Sequence, residues 1–299
     1  MYSGPVIDTH IHLWDLANGY DWLTHNDTNF ERLFGNYDAL KRNFVAPDYI
    51  AMIRDCNVVK SVHVQAFGFP DNPVGETAWL QGQADEYGYP KGIVAYANLA
   101  HPDVEETLRQ HCACANVRGI RMPLNYAKEA WRRMTDRGDY MQDAQWRKGF
   151  ALLSDYGLSF DLQMYDHQAA EAVALAQRFP ETTIVIEHLA WALDLSSIGF
   201  DQWRQHLQAL SQCSNVFLKL SGIGCVFRGS DPAWIRHWLQ QAVSCFGPKR
   251  CMFGSNCPPD TIFYDFKTLL RIYMEAFADY SPDEQETIFY GTAQRIYRL

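Results

Sequence analysis

The sequence has no apolar run approaching the roughly 18 residues needed to cross a bilayer. Its opening residues, MYSGPVIDTHIHLWD, have neither a basic head nor an apolar stretch, so they do not read as a secretory signal. Blocks of Lys or Arg are missing, and 26 basic residues face 35 acidic ones for a net charge of −9. That balance argues against nucleic acid or an anionic membrane as a partner. It leaves room for a small anionic ligand, because a pocket can oppose the global sign. No low-complexity stretch or linker interrupts the chain. The eight cysteines are scattered, and the pair at Cys112 and Cys114 lacks zinc-ligand spacing. Without a secretory signal they read as reduced thiols in a cytoplasmic compartment.

What is present is ordinary for a globular chain: 299 residues, 47% apolar and 20% charged. A disordered or fibrous protein is excluded. A chain of this length can bury a large core without disulfides. Short apolar, β-branched runs recur along it at Val6–Leu13, Val58–Ala66, Gly92–Leu99, Val117–Pro123, Leu158–Met164, Thr183–Leu189, Val216–Ser221 and Arg250–Gly254. They alternate little, as strands buried on both faces do. Amphipathic helices lie between them. One opens at Pro102 and repeats Val104, Leu108 and Cys112. Another spans Asp201–Cys213. A third is capped by Asp231 and carries Ile235, Trp238, Leu239 and Ala242. Eight strands alternating with helices predict an α/β fold over residues 1–299 as one domain, a single (β/α)8 barrel. An open doubly wound sheet is the runner-up, but no G-x-G-x-x-G follows the first strand.

Two long inserts, Asp15–Phe44 after strand 1 and Asn125–Lys148 after strand 4, leave the strand ends where barrel enzymes keep their sites. Their aromatics are compatible with a homodimer contact. His10 and His12, two apart at the end of strand 1, share a face and can share a metal. His188 ends strand 6, and alternation places Glu187 on the opposite face. Arg121 in GIRMPL suits a carboxylate ligand or an ion pair with an acid such as Asp161. Lys219 and Ser221 share a face of strand 7 and can contact an anion. Gln65 and Gln163 end strands 2 and 5 as amides able to orient a polar substrate. Asn256 stands where a carboxylate would complete a metal-and-base site. Asp260, four residues on, reaches it only if the turn after Pro258 and Pro259 folds back. Cys257 has no adjacent base and reads as a buried thiol.

Taken in order, IDTHIHLWD, VHVQA, GIRMP, FDLQMY, IEHLAW, FLKLSG and MFGSNCP resemble the amidohydrolase superfamily. The resemblance is to its amidohydrolase-2 branch, which contains 2-pyrone-4,6-dicarboxylate lactonase and sugar-acid lactonases. It implies a distorted barrel with its site at the C-terminal rim and His10, His12 and His188 as metal ligands. It also implies Arg121 as a substrate-binding residue. The family's water-activating aspartate falls on Asn256, where the sequence departs from the pattern, since an amide has no useful basicity. Gln163 replaces the bridging Lys or Glu of binuclear relatives. One divalent ion, zinc, or none at all is therefore expected.

The resemblance implies a hydrolase that opens a small carboxylated or sugar-acid lactone by water attack on the ring carbonyl. His10, His12 and an ion would stabilise the oxyanion, Arg121 and Lys219 would hold substrate, and His188 or Asp260 would take the proton. A metal-dependent decarboxylase of an aromatic or muconate-type acid is the second reading. A catalytically impaired anion-binding barrel is the third.

Overall fold

The computed structural model describes residues 2–25, 27–69 and 72–299. Eight parallel strands follow one another in chain order: β1 (Val6–Ile11), β2 (Val58–Val64), β3 (Gly92–Tyr96), β4 (Val117–Arg121), β5 (Ser159–Leu162), β6 (Ile184–Ile186), β7 (Val216–Leu220) and β8 (Cys251–Phe253). The sheet closes where the segment after β8 meets β1. Asn256 N–H donates to His10 O at 2.7 Å, and His12 N–H donates to Cys257 O at 2.8 Å. The product is a (β/α)8 barrel. Register shifts beside Ile7 and between Asp8 and Ile11 distort β1.

Outside the strands lie α1 (Ala46–Ile53), α2 (Pro73–Tyr87), α3 (Val104–His111), α4 (Ala144–Asp155), α5 (Ser197–Ser211), α6 (Pro232–Phe246) and α7 (Phe266–Ala276), with Ala169–Arg178 between β5 and β6 completing the ring. Helix α5 begins a turn earlier than Asp201 because Ser196 Oγ accepts from Gly199 N–H at 3.2 Å and starts it there. Asp231 caps α6 as its sequence suggests, accepting from Ala233 N–H at 2.7 Å.

The barrel is filled, not hollow. Ile7, Val62, Val64, Val94, Val185, Phe217 and Met252 form a buried layer sealed by Ala293 and Tyr297 near the C-terminus. Among the described residues no helix is long and apolar enough to cross a membrane. The eight cysteines carry no disulfide. The first insert folds locally. Tyr20 and Tyr37 are buried, and Trp22, Phe30 and Phe34 stack in sequence at 4.8 and 5.6 Å. These rings are therefore spent largely on one another.

Candidate active site

A column of charge rises through the barrel. Lys219 Nζ lies 2.6 Å from Asp161 Oδ2, which also accepts from Tyr297 Oη at 2.6 Å. Lys219 is 4.0 Å from Glu187 Oε1, and Glu187 Oε2 takes Arg121 Nη1 at 3.1 Å. Two cations thus face two anions at the centre of the fold, which is the condition for burying any of them. Arg121 pairs with Glu187 rather than Asp161, which belongs to Lys219. Its guanidinium also donates to Gln163 Oε1 at 3.0 Å and to the carbonyl of Gln65.

Above this column the imidazoles converge. The His10 and His188 ring centres are 4.6 Å apart, and His10 Nε2 is 3.2 Å from His12 Nε2. Each ring has its Nδ1 beside an oxygen. His12 Nδ1 donates to Val64 O at 2.7 Å, His188 Nδ1 lies 3.0 Å from Ser221 Oγ, and His10 Nδ1 faces Glu187 Oε1 at 3.4 Å. With its proton on Nδ1, each ring would leave its Nε2 lone pair free. Burial first, and then the neighbouring cations, hold all three rings well below the usual histidine value, so they are neutral. Among the described residues, His10, Glu187 and His188 are the group of three whose potential ligand atoms lie within 4.8 Å of one another.

Glu187 is the site residue that alternation misses. Strand β6 ends at Ile186, three residues before Leu189, so the expected opposite-face placement fails. His188, Leu189, Ala190 and Trp191 then take φ of 52°, 55°, 60° and 37°, a single left-handed turn. Such backbone costs about 1–2 kcal/mol per non-glycine residue. It is held by Trp203 Nε1–H donating to Leu189 O at 2.7 Å and by Trp191 N–H donating to His188 O at 2.8 Å. The turn brings Glu187 and His188 into the same cluster. Gly222, at φ 70°, packs beneath the imidazole, where a Cβ would fall 2.8 Å from His188 Cγ and closer still to Nδ1.

Asp260 does fold back, but onto Asn256 and a backbone turn. Its oxygens accept from Gly224 N–H at 2.7 Å, Cys225 N–H at 3.2 Å and Asn256 Nδ2 at 2.8 Å. Burial pushes its carboxyl up to about 6. Asn256 sits at φ 56°, a conformation its residue type tolerates. Lys219 is fully buried against Asp161, Ser221 is tied to His188, and the Gln65 side chain accepts from Phe67 N–H at 2.9 Å. None of these three lines the inner cavity.

That cavity, about 50 Å³, is bounded by His12, His188, Arg121 and Gln163 below and by Trp22, Phe30, Phe67 and Met134 above. It opens into an outer chamber of about 300 Å³ between the two inserts, walled by Trp22, Phe30 and Phe67 together with Asp27, Trp131 and Arg133. Both inserts therefore build the mouth.

A model of the amidohydrolase family matches residues 7–299. The uncharacterized protein y4mH of Sinorhizobium fredii is 36% identical over 295 residues, covering 98% of each chain. An L-fucono-1,5-lactonase of Burkholderia multivorans is 26% identical over 307 residues, 98% of this chain and 96% of that one. Among solved structures, an amidohydrolase from Burkholderia multivorans with bound zinc superposes with a TM-score of 0.82 at 24% identity, covering 99% of this chain and 100% of that one.

Proposed function

The chain belongs to the amidohydrolase family, and from that premise we propose that it hydrolyses a small carboxylated or sugar-acid lactone. The observation that carries the reading is a cavity lined by His12, His188 and Arg121, with the His10 ring 4.6 Å from that of His188. The lactonase relative at 26% identity supports the substrate class.

The residues fit one divalent ion. His10 Nε2 and His12 Nε2 lie 3.2 Å apart, a separation at which they can share a proton or ligate one ion. Two ligands of a tetrahedral zinc at ~2.0–2.1 Å lie roughly 3.3 Å apart. His10, His12 and His188 would hold the ion, with Glu187 braced against His10. When bound, it would polarise the ring carbonyl and lower the pKa of water. That acidity lessens the need for a carboxylate base, which Asn256 cannot be.

The chain's own groups do the rest. Arg121 has a buried Nε–H without a partner, a donor for the substrate's carboxylate or hydroxyl. Gln163 orients the same end. Trp22, Phe30 and Phe67 wall the passage from the outer chamber to the inner cavity with apolar surface. Asp260, saturated by three donors, anchors Asn256 rather than moving a proton.

The test is a panel of 1,5-lactones of sugar acids and of dicarboxylic lactones, read as acid release by zinc-supplemented protein. Turnover of at least one class is expected, with His10→Asn and Arg121→Gln inactive. A panel left at the uncatalysed rate overturns the reading.

A further inference from the structure

A second chamber of about 310 Å³ lies beyond Trp131 and Leu33, which form the partition from the outer chamber. It shares no lining residue with the inner cavity. Its walls come from both inserts and from the segments after β5, β6 and β7, and include Trp131, Arg132, Tyr165, Trp191 and Arg228. Two arginines and no acid line it, in a chain of net charge −9. The outer chamber, by contrast, carries Asp21 and Asp27.

Among the described residues neither arginine forms an ion pair with an acid. Arg132 stacks its guanidinium 4.7 Å over Trp131, and its Nε is buried with no hydrogen-bond partner. A buried N–H left unsatisfied is unfavourable, so an acceptor belongs there. Arg228 gives one N–H to the carbonyl of Arg32, which ties the first insert to the segment after β7; among the described residues its side chain makes no ion pair. Tyr165 Oη already donates to Arg132 O at 2.6 Å and meets Trp191 edge-on at 6.0 Å, so the phenol contributes a flat apolar wall.

We propose that this chamber binds a small organic carboxylate between Arg132 and Arg228, with its apolar part against Trp131 and Trp191. A planar guanidinium fork matches a carboxylate in two parallel hydrogen bonds. The chamber's volume is at the lower end of small-molecule sites. The inference does not depend on the lactonase reading.

The probe is 4-bromobenzoate, titrated calorimetrically into the zinc-supplemented protein and soaked into its crystals. A bromine signal inside the chamber is expected. Arg132→Gln and Arg228→Gln should each weaken binding about tenfold or more. Inorganic phosphate should bind more weakly than the carboxylate. Bromine found only at the inner cavity against Arg121, no binding at all, or phosphate binding more tightly overturns the proposal. Should the variants not fold, the bromine position in the parent decides.

Discussion

Asn256 donates its amide to Asp260 Oδ1 across 2.8 Å, and the acceptor is already held by two backbone N–H groups. Asn256→Asp would therefore set two carboxyls in hydrogen-bond contact, and such a pair keeps one proton. A folded-state pKa raised above the unfolded value gives stability that is present at low pH and lost as pH rises. We expect the variant to be about 3 kcal/mol less stable than its parent at pH 8, with the gap narrowing toward pH 5. Lactone turnover at pH 7 should not rise. Urea unfolding at the two pH values checks this, and equal stability at pH 8 would show that the contact is not made.

Gly222 and His188 define a second test. A Cβ at position 222 would stand within van der Waals radii of the imidazole, on backbone at φ 70°. Gly222→Ala should push the ring out of place and cost about 10²-fold in kcat/KM, the scale of an ångström's misplacement. Circular dichroism showing a folded variant, with turnover intact, would refute the packing.

The barrel was legible because its strands are buried on both faces and read as continuous apolar runs. His10 and His12 were legible because extended backbone puts residues two apart on one face. Glu187 was not, since that rule presumes a strand, and the strand stops at Ile186 before a left-handed turn that no glycine announces. The partners of Lys219 and Arg121 were hidden for a different reason: Asp161 is 58 residues from Lys219 and Glu187 is 66 from Arg121, so only the closed sheet brings them together. Asp260 was anticipated near Asn256, but its three donors come from a turn whose shape the sequence does not display.

The left-handed turn itself predicts a stabilising change. Ala190 holds φ 60° and is fully buried, and glycine takes that conformation without strain. Ala190→Gly should change stability favourably by up to about 1 kcal/mol, less the methyl's lost packing. A rise in melting temperature with turnover kept or lowered fits. A clear drop would mean that the backbone there is not strained.

Glu76 gives a pH signature of its own. Its carboxylate is buried, accepting from Ala66 N–H at 3.0 Å and Tyr20 Oη at 3.3 Å, and burial lifts its pKa from 4.5 to about 7. Because the folded value is the higher one, its contribution is fully present below pH 4.5 and disappears as pH climbs through 7. The span is about 3 kcal/mol. Glu76→Gln cannot titrate, so parent stability measured against this variant should decline by about that amount between pH 4.5 and 8. A constant difference would rule the shift out.

Glu187 separates a structural from a metal-bracing role. It faces His10 Nδ1 at 3.4 Å, Lys219 at 4.0 Å and Arg121 at 3.1 Å. Glu187→Gln leaves the two buried cations with Asp161 alone, which should cost about 3–5 kcal/mol. An amide can still accept from His10, but it presents less negative charge to the ring. If His10 is a zinc ligand, its Nε2 becomes a poorer donor, and zinc affinity should fall about 10- to 100-fold. Competition against a chelating dye reads this without any substrate. Loss of stability with zinc affinity unchanged would confine Glu187 to balancing charge. Loss of both ties the column beneath the imidazoles to the metal that they would hold.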